Sequence, residues 1–226
     1  NAFSARKSLI CYAVKANSNL SVLKHLANLG SGFDCVSIGE VRRALLVGAK
    51  KYQIIFSGVG KRDCELEEAL ASDILMINLE SEAEMNRLED IAKQLGKPAR
   101  ISIRVNPDID AKTHPYISTG LNENKFGVDI LTARKMYLYA ANSNFLEPVG
   151  IHSHIGSQLT DIAPIIEASK IVSDLVRELK AAKIDVRFFD VGGGIGIVYG
   201  DESEPDLYEY AQGILANLSG LDVTVV

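Results

Sequence analysis

The sequence has few of the features that mark secreted, membrane-bound or nucleic-acid-binding proteins. Its three cysteines, Cys11, Cys35 and Cys64, form no C-x-x-C pair and are odd in number, which argues against a disulfide framework or a structural zinc site. No apolar run approaches the roughly 18 residues of a membrane span, and no secretory signal opens the chain. A formal net charge of -5 gives no reason to propose nucleic acid or an anionic membrane as a partner. We therefore expect a cytoplasmic protein without a metal site.

The sequence also lacks an initiator methionine, and it ends on an apolar run, residues 223–226. A strand would not be expected to stop there, so we expect both ends to be cut from a longer protein. With 226 residues, of which 47% are hydrophobic and 23% charged, the chain can bury a large core. We find no internal repeat and no polar linker. The prediction is one domain over residues 1–226, incomplete at both ends.

Apolar, strand-like runs alternate with segments of helical spacing along the whole chain. The predicted strands are an apolar run that ends at Lys15, then 32–37, 53–58, 74–78, 100–106, 149–155, 187–191 and a last strand from 222. The predicted helices are 20–29, 40–48, 63–72, one that begins at Ser81 and stops at 96–98, 131–143, 165–182 and 207–218. This series predicts an α/β fold with a parallel sheet. Eight units favour a (β/α)8 TIM barrel, truncated near the eighth strand, over an open doubly wound sheet.

In such a barrel the functional residues lie at the carboxyl ends of the strands. Lys15 ends the first strand and shares a face with Cys11 and Ala13. A primary amine in that position can form a Schiff base with a carbonyl compound once its surroundings lower its proton affinity. The alternative is that Lys15 is simply the first solvated residue after a core strand.

Two further strands end in polar side chains. Alternation predicts that Arg104 and Asn106 point into the mouth of the barrel, because a barrel strand covered by helices has no solvent face. His152 and His154 share one face, with His154 nearer the strand end. They could be core residues or metal ligands, but no further cluster completes a metal site.

Three consecutive glycines, Gly192, Gly193 and Gly194, follow the seventh predicted strand. Backbone without side chains can approach an anion closely, and barrels commonly bind phosphate at this position. The alternative is a flexible turn; a dinucleotide-binding fingerprint is disfavoured because its third glycine would fall on Ile197. Gly156-Ser157 is a further candidate for phosphate binding. Together with the lysine, histidine and arginine described above, these glycines and the serine predict a phosphate-bearing aromatic aldehyde as the ligand. Pyridoxal phosphate fits fully, and a sugar phosphate bound by an aldolase fits in part.

The long polar segment 107–127 has no regular apolar period, and long ordered loops in compact domains are usually functional. It also carries two of eight motifs through which the chain resembles a known family, the alanine-racemase-like barrels that bind pyridoxal phosphate, and within it the diaminopimelate decarboxylases. HIGSQ, ending in Gln158, is similar to that branch, since ornithine-type relatives usually have a glycine there. The motifs, in order, are YAVKAN (12–17), FDCVSIGE (33–40), FSGVGK (56–61), RVNP (104–107), HPYISTG (114–120), NKFGV (124–128), HSHIGSQ (152–158) and DVGGGIG (190–196).

The resemblance implies roles for individual residues. Lys15 would bind the cofactor aldehyde covalently, and His154 would stack on the cofactor ring. Arg104 and Asp34 would lie near the ring and the lysine. The implied phosphate contacts are Ser157, Gly192, Gly193 and Gly194, and the implied substrate contacts are His114, Ser118 and Thr119.

The implied reaction is the decarboxylation of meso-2,6-diaminopimelate to L-lysine with release of carbon dioxide, by a homodimer. The family's Glu-Pro-Gly-Arg motif would follow Val226, and its carboxyl-terminal β-domain is absent, so we expect this chain to lack part of the active site and to be inactive by itself. The alternatives are a decarboxylase acting on ornithine or arginine, and a non-catalytic barrel that binds a partner.

Overall fold

A computed structural model describes residues 2–109, 126–200 and 203–226. Eight parallel strands form one sheet in which each strand pairs with the next in chain order. The strands are β1 Cys11–Ala13, β2 Gly32–Cys35, β3 Ile54–Phe56, β4 Met76–Leu79, β5 Ala99–Arg104, β6 Leu146–His152, β7 Phe188–Asp190 and β8 Thr224–Val225. A sheet that never reverses its strand order is what a barrel requires, because each strand then has its sequence neighbour beside it.

The two ends of this sheet meet and close the barrel. The Leu9 N–H donates to the Val225 carbonyl at 2.8 Å, and the Val225 N–H donates to the Lys7 carbonyl at 3.0 Å. Ser8 and Val225 thus form a parallel bridge between β8 and the residues before β1. The Arg6 guanidinium holds the same segment by donating to the Leu221 carbonyl at 2.6 Å. The predicted (β/α)8 fold is confirmed.

Helices follow the first seven strands and pack on the outside of the sheet. They are α1 Leu20–Asn28, α2 Ile38–Leu46, α3 Asp63–Ala71, α4 Glu82–Leu95, α5 Ile130–Ala141, α6 Ala163–Ala181 and α7 Leu207–Asn217. Five of these seven helices begin after a residue whose side chain accepts a backbone N–H of the first turn, as at α4, where Ser81 Oγ accepts the Glu84 N–H at 3.2 Å. Within the described ranges no helix combines the length and apolar character needed to cross a membrane.

The interior of the barrel has two chemically different layers. An apolar cluster on the inside of the sheet consists of Ile55, Leu75, Met76 and Val149. Polar side chains are buried nearer the carboxyl ends of the strands; they are Ser57, Asn78, His152 and Asp190. The apolar layer therefore fills the part of the barrel nearer the amino ends of the strands. The polar layer forms the floor of any binding site at the carboxyl ends.

Several boundaries differ from those predicted. β1 is only three residues long, and residues Val14–Ala16 form a turn of 3-10 helix, so Lys15 lies just beyond the strand. β6 begins at Leu146, which pairs with Ala99 of β5, and a register shift between Ile101 and Ser102 gives β6 one extra residue. These changes leave the order of elements intact.

Candidate active site

A cavity of about 480 Å³ opens at the carboxyl ends of the strands. That volume suits a small organic ligand. The sequence-predicted site residues that line it together are Lys15, Asp34, Arg104, His154, Ser157, Gly192, Gly193 and Gly194. The predicted substrate contacts His114, Ser118 and Thr119 lie outside the described residues.

Lys15 enters the cavity from the 3-10 turn that follows β1. The neighbouring Val14 is fully buried and anchors this turn in the core, while the lysine itself is exposed. Lys15 Nζ forms no hydrogen bond or ion pair with any residue that the structure describes. An amine that faces a cavity without a hydrogen-bond or ion-pair partner is available to react with a ligand carbonyl.

A row of hydrogen-bonded polar side chains crosses the floor of the cavity. Ser57 Oγ donates to Asp34 Oδ1 at 2.5 Å, and Asn78 Nδ2 donates to Ser57 Oγ at 3.0 Å and to Asp190 Oδ2 at 3.5 Å. His152 Nδ1 lies 3.0 Å from the same Asp190 oxygen. The row therefore links residues of β2, β4, β6 and β7, and it fixes the positions of the two carboxyl groups, those of Asp34 and Asp190, relative to each other.

The two carboxyl groups of this row titrate differently. Burial is the largest effect on Asp34 and raises its pKa above the usual range, although the Ser57 hydrogen bond opposes it. Burial also acts to raise the pKa of Asp190, but the His152 imidazole and the hydrogen bonds that the carboxylate accepts outweigh it, so the pKa falls below its usual range. The pKa values of the two buried carboxyl groups are thus shifted in opposite directions.

Arg104 forms one wall through three different contacts. Its Nη1 donates to Glu80 Oε1 at 2.9 Å, and its Nη2 donates to the His154 carbonyl at 3.3 Å. The guanidinium also lies 5.2 Å from the centre of the Phe126 ring. The Arg104–Glu80 pair is largely buried, with side chains 12% and 6% exposed, so the positive charge is held in a fixed orientation.

One prediction about this strand needs correction. Asn106 does not line the cavity; its Oδ1 accepts the Asp108 N–H at 2.8 Å in the turn after β5. Arg100, four residues before Arg104 on the same strand, lies at the opposite end of the barrel, where it donates to the Leu75 carbonyl at 3.0 Å and to Asp73. Alternation gives the face of a strand residue but not its height along the barrel axis.

His154 carries a neutral ring beside the glycine loop. Burial, followed by the neighbouring charges of His152 and Arg104, lowers the pKa of His154 to about 4. The Gly193 N–H donates to His154 Nδ1 at 3.4 Å. Because the imidazole is uncharged at neutral pH and held by this contact, it offers a flat face to a ligand ring without adding positive charge.

The glycine loop packs against the loop that follows β6. Gly192 and Gly194 adopt positive φ angles of 69° and 100°. A Cβ at Gly194 would collide with the carbonyl oxygen of Gly156, whereas a Cβ at Gly193 would meet nothing within 4 Å. Leu159 fixes the two loops together, since its N–H donates to the Gly194 carbonyl at 2.8 Å. Close backbone approach with open space at the middle glycine is the geometry of a cradle for an anion.

Sequence reasoning missed three residues of the site. Glu80, Ser57 and Asn78 hold Arg104 and Asp34 in place, yet none of them was predicted to act there. The predicted fourth strand stopped at Asn78, two residues short of Glu80. Extending the alternation of Met76 and Asn78 by one more step would have put Glu80 on the same inward face.

Fold and site together define a class: a (β/α)8 barrel with an unpaired lysine, a neutral histidine and a glycine cradle around one cavity. These groups fit a phosphate-bearing aldehyde, which needs an amine for its carbonyl and N–H and hydroxyl donors for its phosphate. Within the described ranges, no three His, Cys, Asp or Glu side chains are grouped so as to hold a metal ion.

A family model described as "Pyridoxal-dependent decarboxylase, pyridoxal binding domain" matches residues 1–223. The chain belongs to this family of pyridoxal-dependent decarboxylases. The prediction of pyridoxal 5'-phosphate as the cofactor is confirmed by this match.

Curated relatives narrow the comparison. The diaminopimelate decarboxylase of Campylobacter jejuni is 73% identical over 225 residues, which cover 99% of this chain and 56% of that protein. The diaminopimelate decarboxylase of Helicobacter pylori strain J99 is 62% identical over 225 residues, covering 100% of this chain and 56% of that protein. A crystal structure of the Helicobacter pylori enzyme complexed with L-lysine has a TM-score of 0.95 at 62% identity, with 99% of this chain and 57% of that one covered. The chain therefore spans little more than half the length of the relatives it matches.

Proposed function

We propose that this chain is the barrel portion of a diaminopimelate decarboxylase, which converts meso-2,6-diaminopimelate to L-lysine and carbon dioxide with pyridoxal 5'-phosphate. The observation that carries the proposal is the 73% identity, across nearly the whole chain, to a protein named diaminopimelate decarboxylase. The L-lysine in the crystal structure of the Helicobacter pylori enzyme is consistent with it, because L-lysine is the product of the proposed reaction.

We further propose a role for each cavity residue. The Lys15 amine bonds to the cofactor aldehyde, and it is suited to this because no described residue pairs with it. Ser157 and the backbone of Gly193 and Gly194 receive the phosphate in the cradle. When bound, the cofactor supplies an electron sink for the decarboxylation.

The remaining residues orient these groups. His154 lies against the cofactor ring, and its neutral form keeps positive charge away from that face. Arg104 gives the wall a fixed cation, oriented by Glu80. Asp34 lines the same cavity as Lys15, and its carboxyl group is held by the Ser57 hydroxyl.

We propose also that residues 1–226 act as one cofactor-binding domain, which is supported by a single family model over residues 1–223. The homodimer rests on the family resemblance alone. Sedimentation equilibrium of the full-length protein tests it, since a mass equal to one chain would contradict the proposed dimer.

Reductive trapping tests the cofactor site. The protein is mixed with pyridoxal 5'-phosphate, reduced with borohydride and digested, and the peptides are weighed. We expect a pyridoxyl group on Lys15 and none on Lys61, whose amine is buried and makes three hydrogen bonds. Labelling of surface lysines with Lys15 left unmodified would contradict the assignment of Lys15 to the cofactor site. The Lys15→Ala variant is the matched control.

Product analysis tests the substrate. The full-length holoenzyme is incubated separately with meso-diaminopimelate, ornithine and arginine, and the products formed are separated by chromatography. The proposal expects L-lysine from the first compound and little or no product from the other two. Faster decarboxylation of ornithine or arginine would assign the protein to a different branch, and no product from any of them would favour a non-catalytic barrel.

A further inference from the structure

Asp190, the last residue of β7, contacts three separate parts of the barrel at the cavity floor. Its Oδ2 lies 3.0 Å from His152 Nδ1 and accepts from Asn78 Nδ2 at 3.5 Å. Its Oδ1 accepts the N–H of Gly192, two residues further along the chain, at 2.8 Å. The residue is 7% exposed. One carboxylate therefore connects β4, β6 and the start of the glycine loop.

The bond to Gly192 fixes a turn that few residues could make. Gly192 has a φ of 69°, and a Cβ there would collide with the carbonyl oxygen of Ser153 and lie 3.1 Å from His154 Nδ1. The backbone therefore turns back toward the floor at this point, with its N–H aimed at Asp190. The next N–H, that of Gly193, makes only a long contact of 3.4 Å with His154 Nδ1, so a ligand phosphate can compete for it. The orientation of the cradle thus depends on its first residue.

The Gly192 N–H is consequently already satisfied within the protein. Its donor is directed at Asp190 instead of at a ligand in the cavity. Asp190 itself is unsuited to bind phosphate, because a carboxylate that stays ionised repels a second anion. Any effect of Asp190 on an anionic ligand must therefore act through the geometry of the loop.

We propose that Asp190 is a positioning residue for the anion cradle: by accepting the Gly192 N–H, it sets the turn that presents Gly193, Gly194 and Ser157 to a ligand phosphate. This inference rests on the proposed function, in which the cradle receives the phosphate of pyridoxal 5'-phosphate. It predicts that a change at Asp190 alters recognition of the phosphate and leaves recognition of the rest of the ligand unchanged.

The test compares pyridoxal 5'-phosphate with pyridoxal, which has the same aldehyde and ring but no phosphate. Absorbance titration gives the Kd of each ligand. The Kd of pyridoxal divided by the Kd of pyridoxal 5'-phosphate measures how much the phosphate contributes to binding. In Asp190→Ala we expect this ratio to fall by roughly tenfold or more, because a hydrogen bond to a charged acceptor is lost. In Asp190→Asn, whose side-chain oxygen can still accept the N–H, we expect a fall of about threefold or less.

Two further variants keep the test decisive. Gly192→Ala disturbs the same turn without touching the floor carboxylate, and it replaces Asp190→Ala if that variant fails to fold; we expect the same loss of ratio. Asp206→Ala is the matched control, because its carboxylate also accepts backbone N–H groups, those of Tyr208 and Glu209, at the start of α7. Its ratio should equal that of the wild type.

The outcomes separate the two proposals. A wild-type protein that binds both ligands equally well, or neither, refutes the proposed cofactor site and the cradle with it. If the wild type prefers the phosphorylated ligand, and folded Asp190→Ala and Gly192→Ala show the same preference, only the positioning role of Asp190 is refuted. An Asp190→Asn variant as impaired as Asp190→Ala also overturns it, because the charge and not the hydrogen bond to the loop would then be responsible.

Discussion

Lys61 and Lys51 form ion pairs of equal length in very different surroundings. Lys61 Nζ lies 2.7 Å from Glu84 Oε1, and the two side chains are 1% and 12% exposed. Lys51 Nζ lies 2.7 Å from Asp73 Oδ2, with side chains 53% and 33% exposed. Replacing each lysine with methionine removes one ammonium group and keeps most of the apolar stem. The pair of variants therefore compares a buried ion pair with an exposed ion pair of the same length.

The expected loss for Lys61→Met follows from its contacts. Besides Glu84, Lys61 Nζ donates to the carbonyls of Gly58 and Asn78, each at 2.7 Å. The substitution leaves a mostly buried carboxylate without its counter-ion and two carbonyls without a donor. Breaking a buried pair in this way costs about 3 to 5 kcal/mol of stability. We expect the lower end, about 3 kcal/mol, because Glu84 keeps its hydrogen bond from the Glu80 N–H at 2.7 Å.

Lys51→Met should lose much less. Exposed ion pairs contribute about 1 kcal/mol or less, and Asp73 keeps Arg100 as a partner at 2.8 Å. Urea unfolding followed by circular dichroism measures both variants. A third variant, Lys61→Met with Glu84→Gln, removes the stranded charge and should recover about 1 kcal/mol or more. If Lys61→Met loses no more stability than Lys51→Met, burial does not control the strength of these pairs and the reasoning fails.

Three further predictions concern buried groups of the barrel. Tyr137→Phe removes a hydroxyl that donates to the Gly150 carbonyl at 2.6 Å and accepts the Ile103 N–H at 3.3 Å, so urea unfolding should show a loss of about 1 to 3 kcal/mol; a loss near zero would contradict the contact. The pKa of His154 is lowered from 6.5 to about 4 in the folded protein, so the unfolded chain binds a proton on this imidazole more tightly than the folded chain does. The contribution of His154 to the free energy of unfolding is therefore fully present above pH 6.5 and declines as the pH falls toward 4. NMR titration should place the His154 midpoint near 4, and His154→Gln should flatten the decline. Gly194→Ala should separate the two packed loops and accelerate amide hydrogen exchange after β6, whereas unchanged exchange would refute the predicted collision.

Much of the fold could be predicted because the rules that govern it are local. Helices and strands have different apolar periods, and eight alternating units leave few arrangements besides a closed parallel barrel. The details that failed depend on neighbours distant in sequence. Lys15 lies on a 3-10 turn instead of a strand, and β6 begins at Leu146 because this residue pairs with Ala99 of β5.

The site was predictable where one strand end was enough to identify a residue. Lys15, His154 and Gly193 follow strands in conspicuous positions, and the structure brings them to one cavity. Glu80 and Ser57 were missed because their roles arise only across strands, as partners of other side chains. The specific roles of all these residues stay predictions until the binding experiments are done.

The closure between β8 and the residues before β1 also bears on how the barrel folds. Arg6 bonds to the Leu221 carbonyl across 215 residues of sequence, whereas each βα unit forms contacts mainly with the next. Contacts this distant form slowly, because the entropy of closing a loop must be offset before they contribute. We expect an arc of βα units to assemble first and the ring to close last. Substitutions at this seam, such as Arg6→Ala, should therefore accelerate unfolding and leave the folding rate nearly unchanged.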